Sequence, residues 1–173
     1  MQRPIIVLAT DGSPGALAAA AWVDQHLASQ HPLVRIVSVI GVSSFDAEYP
    51  LHGLVIDGTW LESETLREAW RRAENRAEDA IQRTLGQLRH CEAVETARLE
   101  GASPAKAILD DAKRHHADMI VVGRRGHSRL GTLLGSVSFA IVHASPIPVT
   151  VVASYPLWDS SVEPPQTVSH EKG

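Results

Sequence analysis

The sequence predicts an α/β fold, a doubly wound parallel sheet with helices on both faces. Short apolar runs such as "PIIVLA" and "DMIVVG" lack polar alternation, which is typical of strands buried on both faces of a parallel sheet. Helical patterns separate these runs, so strands and helices alternate along the chain. The order β-α-β-α-β-α-β-α-β predicts five strands and four helices in one sheet-centred domain.

The five strands differ in how strongly their pattern predicts burial. The first and fourth are the two continuous apolar runs, while the third alternates like a strand nearer the edge of the sheet. The second and fifth are rich in β-branched residues. In chain order the predicted strands are "PIIVLA", "VRIVSVIGV", "EAVETARLE", "DMIVVG" and "PVTVVA".

Two of the helices begin with the same local signal. Ser13 and Ser103 are predicted N-caps, and each is followed by a proline at the first helical position. The helix after Ser103 ends in basic residues, which suit a helix C-terminus. These signals predict where the first and third helices begin.

The second helix is predicted from about Trp60 to Arg89, and the fourth helix is stopped by Pro146. An apolar residue recurs every three to four positions in each. The stripe of the second helix comprises Leu66, Trp70, Ala73, Ala77, Ile81, Leu85 and Leu88, and that of the fourth comprises Val137, Ala140, Ile141 and Ala144.

The chain divides into one folded unit and a tail. Residues 1–154 hold all the predicted elements, interrupted by an irregular loop over residues 43–58. Residues 155–173 contain three prolines without periodicity and are predicted to be a disordered tail.

The amino-acid composition argues against several classes of function. The 173 residues are 44% hydrophobic and 21% charged, with a formal charge of −4, which argues against a nucleic-acid binder. A single cysteine, Cys91, fits a reducing compartment. The apolar run at the start is too short for a signal peptide, and no stretch reaches membrane-spanning length. We therefore expect a cytoplasmic protein that binds neither membrane nor nucleic acid.

Positive charge is concentrated in one acid-free segment. Residues 119–158 contain neither Asp nor Glu, yet they contain Arg124, Arg125 and Arg129 together with His127 and His143. A local cationic patch on an acidic protein suits a small anionic ligand better than a long polyanion.

The glycine-rich loop in this segment follows the fourth strand, at the sheet edge where open α/β sheets bind ligands. Glycines let the backbone approach a phosphate, and the following helix N-terminus favours an anion. A Walker loop is excluded because no lysine lies between Lys113 and Lys172, and the dinucleotide fingerprint does not follow the first strand. On the glycines alone, a tight turn packed against a helix explains the loop equally well.

The motifs together are more specific, and the chain resembles the universal stress protein family from about Pro4 to Ala153. The matching stretches are "IIVLATDGS", "VSVIGV", "EGASPAKAILDDAKRHHADMIVVGRRG", "LLGSVS" and "SPIPVTVV". The ATP-binding branch of that family carries G-x2-G-x9-G-[ST] after its fourth strand. This chain supplies Gly123, Gly126, Gly135 and Ser136, but eight residues rather than nine separate Gly126 from Gly135.

The resemblance implies the strand order 3-2-1-4-5, binding of ATP with or without Mg²⁺, and a homodimer formed through the strand Val149–Val152. Ala9 and Asp11 would face the adenosine, and the main chain of Val39 would contact adenine. The remaining implied contacts, to ribose and phosphates, are Val122, Gly123, Arg124, Arg125, Gly126, His127, Gly135, Ser136, Val137 and Ser138.

Several of these residues have a purely structural alternative. Asp11 could cap the first helix or fix a turn, and Ser136 could be an N-cap without a ligand. Asp11 is also the one carboxylate that the sequence puts at the site, and His127 suits a phosphate contact better than a base. We therefore expect a nucleotide-binding stress-response or signalling module, with at most slow ATP hydrolysis.

Two other functions remain open. The first is a homodimeric interaction protein of the same fold that binds no nucleotide, because the shortened loop could spoil the phosphate site. The second is an adenylyl-transfer enzyme on a related fold, which is disfavoured because "TDGSPGA" lacks the lysine or histidine motif such enzymes often show after the first strand.

Overall fold

A computed structural model describes residues 3–40, 64–124 and 134–153. Strands and helices alternate in the predicted order. The elements are β1 (Ile5–Ala9), α1 (Pro14–His26), a short 3₁₀ turn (Ala28–Gln30), β2 (Leu33–Ile40), α2 (Glu64–Leu85), β3 (Ala93–Glu100), α3 (Pro104–Arg114), β4 (Met119–Gly123), α4 (Ser136–Ala144) and β5 (Val149–Val152).

The strands form one parallel sheet in the order β3-β2-β1-β4-β5, which confirms the predicted topology. Ala9, at the end of β1, lies opposite Val37 of β2 and Val122 of β4. The direction of winding reverses between β1 and β4, because β2 and β3 extend the sheet to one side and β4 and β5 to the other. Such a reversal opens a crevice at the carboxyl ends of the strands.

Two helices cover each face of the sheet. Side chains from α1 and α2, such as Val23 and Ile81, pack with Leu8 and Ile36 on one face. On the other face, Ile108 of α3 and Ile141 of α4 pack with β-strand residues that include Val7, Ala9, Val37, Ile120 and Val122. The strand side chains alternate between these two clusters, as expected for a sheet buried on both sides.

The local helix signals account for the starts of α1 and α3. Ser13 accepts a hydrogen bond from the Ala16 N–H and Ser103 accepts one from the Lys106 N–H, with a proline at the first helical position of each helix. In α4 the N-cap is Gly135 and Ser136 is the first helical residue. The alternative interpretation of Ser136 as an N-cap is therefore wrong.

The predicted end of α2 at Arg89 is also wrong, since the helix ends at Leu85. The following turn tightens, with the Gln87 N–H donating to the Thr84 carbonyl at 3.0 Å. Leu88 nevertheless packs in the core, which explains why the apolar stripe continued beyond the helix. Residues 60–63, the irregular loop over residues 43–58 and the predicted tail over residues 155–173 lie outside the described residues.

Within the three described stretches, no helix combines the length and the apolar character needed to cross a membrane.

Candidate functional site

A cleft of about 300 Å³ lies at the carboxyl ends of β1, β2 and β4, where the sheet reverses its winding. Strand ends form its floor, and the first turns of three helices contribute to its walls. The lining residues are Ala9, Thr10, Asp11, Ala16, Val37, Ser38, Val39, Pro104, Ile108, Val122, Gly123, Gly135, Ser136, Val137 and Ser138.

The turn after β1 is fixed by its own hydrogen bonds. The Thr10 N–H donates to the Val37 carbonyl at 2.9 Å, which extends the β1–β2 pairing by one residue. The exposed Asp11 accepts the Ser13 N–H at 3.0 Å, as an Asx turn does. Gly12 has φ of 73°, a conformation that favours glycine. Asp11 therefore fixes the turn while lining the cleft.

Gly123, the last residue of β4, allows the close packing of α1 on the sheet. A Cβ atom at this position would lie 2.5 Å from the Gly15 carbonyl carbon and 2.7 Å from the Ala16 nitrogen. Both contacts are with backbone, which cannot move aside as a side chain could. The glycine at position 123 thus allows the N-terminus of α1 to pack against the end of β4, beside the cleft.

The two ends of the glycine-rich loop are tied together. The Gly135 N–H donates to the Arg124 carbonyl at 2.9 Å, and the Arg124 N–H donates to the Val152 carbonyl at 2.7 Å. The buried Ser138 hydroxyl lies 3.0 Å from the carbonyl oxygens of both Arg124 and Gly135. These bonds fix where α4 begins relative to the end of β4.

The N-terminus of α4 presents its first-turn N–H groups at the cleft. Ser136, Val137 and Ser138 all line it, and the first N–H groups of a helix lack intrahelical partners. Ser136 is exposed, whereas the Ser138 hydroxyl is held by backbone carbonyls. The main-chain donors and the Ser136 hydroxyl therefore make this wall suitable for an anion.

The other part of the cleft is apolar. Val37, Val39, Ile108 and Val122 line it, with Ala9 between the two neighbouring strands. An apolar surface beside a set of main-chain donors suits a ligand with a flat hydrophobic part and an anionic part.

The structure brings together most of the residues that the sequence indicated. Of those that it describes, Arg124 is the one that does not line the cleft, although its main chain fixes the loop beside it. Arg125, Gly126 and His127 lie outside the described residues. The predicted residues that line the cleft are Ala9, Asp11, Val39, Val122, Gly123, Gly135, Ser136, Val137 and Ser138.

Sequence reasoning missed Thr10, Ala16, Val37, Ser38, Pro104 and Ile108. The position of Thr10 directly after the first predicted strand is a signal that could have found it, whereas Ser38 lies inside the second predicted strand and carries no such signal. Pro104 and Ile108 reach the cleft because α3, which follows β3 in the chain, packs over the central strands of the sheet. No local sequence pattern indicates that contact.

The cleft offers few groups for a metal ion. Asp11 is the single carboxylate among the described residues that line it. The part of the chain that the structure describes contains no cluster of three or more potential metal-ligating side chains. Magnesium is commonly bound through one or two carboxylates plus substrate phosphates. Asp11 thus fits Mg²⁺ that arrives with a nucleotide better than a resident metal ion.

Comparison with known proteins links this geometry to a family. A family model described as "Universal stress protein family" matches residues 3–153. The Universal stress protein MJ0531 of Methanocaldococcus jannaschii is 34% identical over 149 residues, which cover 85% of this chain and 80% of that protein.

Solved structures share the fold. The universal stress protein UspA from Lactobacillus plantarum is 22% identical with a TM-score of 0.68, over 88% of this chain and 99% of that one. A family protein from Arabidopsis thaliana with AMP bound is 15% identical with a TM-score of 0.59, over 87% and 91%. Two further matches, with TM-scores of 0.51 and 0.57, are complexes with cAMP and dAMP.

Proposed function

The chain belongs to the universal stress protein family, and on that premise we propose that its cleft binds an adenine nucleotide, specifically ATP with or without Mg²⁺. The observation that carries the proposal is the pairing of an apolar wall with the N-terminus of α4 in one cleft of about 300 Å³. A nucleotide base needs the apolar wall, and a phosphate chain needs the main-chain donors at the helix N-terminus. Structural neighbours with cAMP, AMP and dAMP support the choice of adenine.

The nucleotide would lie along the cleft with its base toward β2. Ala9 and Asp11 would face the adenosine and the main chain of Val39 would contact the base. Ribose and phosphates would contact Val122 and Gly123, and the phosphate end would meet Gly135, Ser136, Val137 and Ser138, all of which line the cleft. The contacts of Arg124, Arg125, Gly126 and His127 with ribose and phosphates rest on the family resemblance alone. In this placement the phosphates approach the donors of α4.

We propose a binding module rather than an enzyme. ATP hydrolysis requires a positioned water and well-placed charged groups. Asp11 is the carboxylate available among the described lining residues, and it is engaged by the Ser13 N–H. We therefore expect at most slow hydrolysis, with nucleotide occupancy altering the protein surface in a stress-response or signalling role. A cytoplasmic location is part of the same proposal.

Dimerisation through β5 is the second part of the proposal. Within the described sheet, β5 lies at an edge and pairs with β4 alone, and its four residues are half-buried. An edge strand with β-branched residues offers unpaired main-chain groups to a second copy. Charged residues placed at Val149 and Val151 should lower the mass measured by light scattering from that of a dimer to that of a monomer.

The nucleotide proposal is tested most directly on the purified protein. Denaturation should release a bound adenine nucleotide that mass spectrometry identifies, and calorimetric titration with ATP should show binding. If neither is observed with ATP at millimolar concentration, with and without magnesium, the nucleotide proposal is wrong.

The second candidate function is then a homodimeric interaction protein with an empty cleft. The specific observation in its favour is the loop between Gly126 and Gly135, which is one residue shorter than the ATP-binding pattern of the family. Dimerisation without nucleotide binding, measured in the same two experiments, would support it.

A further inference from the structure

A buried pair of hydroxyl groups connects the cleft to helix α2. The side-chain oxygens of Thr10 and Thr84 lie 2.7 Å apart, although the residues are 74 positions apart in the chain. Thr10 lines the cleft, while Thr84 is fully buried in the last turn of α2. Two polar side chains are thus placed in the core at the point where the turn after β1 meets this helix.

The hydrogen bonds around this pair define the direction of each donor. The Thr84 hydroxyl donates to the Ala80 carbonyl at 2.7 Å, four residues earlier in the helix. Because that donation uses the Thr84 proton, the Thr10 hydroxyl must donate to Thr84. The Thr10 oxygen in turn accepts the Gly12 N–H at 3.1 Å. A single chain of hydrogen bonds therefore runs from the Gly12 N–H to the backbone of α2.

Packing joins the same turn to the same part of α2. A Cβ atom on Gly12 would lie 3.1 Å from the Ala80 Cα and 3.2 Å from its Cβ. Gly12 thus sits directly on the helix backbone, in a positive-φ conformation that suits glycine. The hydrogen-bond chain and this contact independently make α2 the support of the turn.

Asp11 lies between the two supported residues. Thr10 before it and Gly12 after it are both held against α2, and its carboxylate is directed by the bond from the Ser13 N–H. From these contacts we propose that Thr84 is a positioning residue that fixes Asp11 in the cleft through Thr10. This inference rests on the proposed function, since it assumes that Asp11 faces a nucleoside.

The main test compares Thr84→Val with Thr84→Ser. Valine keeps the shape but removes the hydroxyl, leaving the Thr10 donor without its acceptor, whereas serine keeps the hydroxyl. Thr84→Val should raise the calorimetric Kd for AMP by ~3- to 10-fold, the effect of losing one net hydrogen bond. Thr84→Ser should bind AMP as the unsubstituted protein does.

Thr150→Val is the matched control. Thr150 is a half-buried threonine on β5 whose hydroxyl donates to the Met119 sulfur at 3.6 Å. The same substitution there removes a half-buried hydroxyl away from the cleft, so the Kd for AMP should not change. Equal losses of affinity in Thr84→Val and Thr150→Val would overturn the proposal.

A double-variant cycle separates positioning from general structural support. If Thr84 acts through Asp11, then Thr84→Val should have little further effect on AMP binding in an Asp11→Ala background. The same loss of affinity in both backgrounds would show that Thr84 does not act through Asp11 and would overturn the proposal.

Hydrogen exchange of the Gly12 amide, measured without nucleotide, keeps this inference separate from the proposed function. Its protection should fall by about tenfold in Thr84→Val and be retained in Thr84→Ser, because the hydrogen-bond chain from the Gly12 N–H reaches the backbone of α2 through the Thr84 hydroxyl. Unchanged protection overturns the inference. Lack of AMP binding by the unsubstituted protein would overturn the proposed function, and with it the positioning role for a nucleotide. If Thr84→Val does not fold, Thr10→Val interrupts the same chain at its other hydroxyl.

Discussion

The two ends of the parallel sheet are built from different groups. At the amino end, charged side chains form hydrogen bonds with one another in positions that are wholly or partly buried. Arg35 of β2 donates to the Asp111 carboxylate at 2.8 and 3.0 Å, and Asp111 is 1% exposed. At the carboxyl end, Asp11 is the single acidic or basic residue among the described residues that line the cleft.

A second buried carboxylate repeats the pattern of the amino end. Asp24, near the end of α1, accepts the His90 N–H and contacts the His90 ring nitrogen, both at 2.7 Å. Cys91 lies beside them, and burial together with the charge and hydrogen bond of Asp24 raises the pKa of its thiol to about 11. Such a thiol is not a reactive nucleophile at neutral pH. This end of the sheet therefore contributes stability, whereas the carboxyl end leaves main-chain donors available to a ligand.

The sharpest test of this difference between the two ends of the sheet is to break the buried ion pair between Arg35 and Asp111. Asp111→Ala leaves the Arg35 guanidinium, whose side chain is 13% exposed, without its main partner. Removing one member of a buried pair costs ~3–5 kcal/mol, so the free energy of unfolding in urea should fall by about that amount. The affinity of the folded protein for AMP should change by less than about twofold, which is within the additivity error of distant sites.

Glu95→Ala is the matched control for that substitution. Glu95 contacts the same Arg35 at 3.2 Å but is 52% exposed. Solvent screens such a pair, so its loss should cost less than ~1 kcal/mol. A strong loss of AMP affinity in Asp111→Ala, with little loss of stability, would contradict the division between the two ends.

The converse test places a larger side chain at the carboxyl end of the sheet, beside the cleft. Gly135→Val puts a branched side chain at the N-cap of α4, where a phosphate must approach the first-turn N–H groups. ATP affinity should fall by roughly 100-fold, or about 2.7 kcal/mol, with a smaller loss for AMP. The free energy of unfolding should change by ~1 kcal/mol or less, the usual range for an N-cap change. Calorimetry and urea denaturation measure the two effects.

Gly86→Val provides the control at a glycine that does not line the cleft. A Cβ atom there would meet its nearest neighbour, the Arg83 carbonyl oxygen, at an ordinary contact distance of 3.5 Å. ATP binding should be unchanged in this variant. Equal ATP and AMP losses in Gly135→Val would show that the β- and γ-phosphates, which AMP lacks, do not approach α4.

The parts of this molecule that were predictable from sequence are those set by neighbouring residues. Ser13 and Ser103 cap helices because their side chains reach N–H groups three residues away. The continuous apolar strands indicated a doubly covered sheet, and the cleft followed from the position of loops at the carboxyl ends of strands. Family resemblance added the strand order and the site residues.

The parts that were not predictable depend on how distant elements meet. The bond between Thr10 and Thr84 requires α2 to cross the end of β1, and Ile108 reaches the cleft through the packing of α3. The resemblance implies that Arg124 contacts ribose and phosphates, yet Arg124 does not line the cleft, and its hydrogen bonds with Val152 and Gly135 are made by main-chain atoms. The side-chain direction of a residue at a strand end depends on the register of that strand, which composition does not encode.

The pH dependence of the free energy of unfolding should show that Asp24 stabilises the fold and does not take part in ligand binding. Burial alone would raise the pKa of its carboxyl, but hydrogen bonds from His90 and Cys91 and the charge of His90 lower it below the ordinary value. A carboxyl with a lowered folded-state pKa stabilises the protein above the unfolded pKa of about 3.9, and this contribution is lost as the pH falls through the folded value. Asp24→Asn should thus cost ~1–3 kcal/mol at pH 7 and clearly less at pH 3.

Urea denaturation of both proteins at the two pH values measures this difference. AMP affinity at pH 7 should be the same in Asp24→Asn as in the unsubstituted protein, because Asp24 lies at the end of the sheet opposite the cleft. A stability difference that stays constant between pH 7 and pH 3 would show that the ionised form of Asp24 does not carry the effect.

The smallest expected effect separates the two roles of Asp11, which fixes a turn and lines the cleft. Asparagine keeps an oxygen that can accept the Ser13 N–H, whereas alanine removes it. Asp11→Asn should therefore change the free energy of unfolding by less than about 0.5 kcal/mol, and Asp11→Ala should cost ~0.5–1.5 kcal/mol. Both substitutions remove the charge that we propose faces the nucleoside, so both should weaken ATP and AMP by the same factor, about 3- to 10-fold. If calorimetry shows that Asp11→Asn binds both nucleotides like the unsubstituted protein while Asp11→Ala does not, then Asp11 supports the cleft through the turn alone, and even at the carboxyl end the carboxylate serves the fold rather than the ligand.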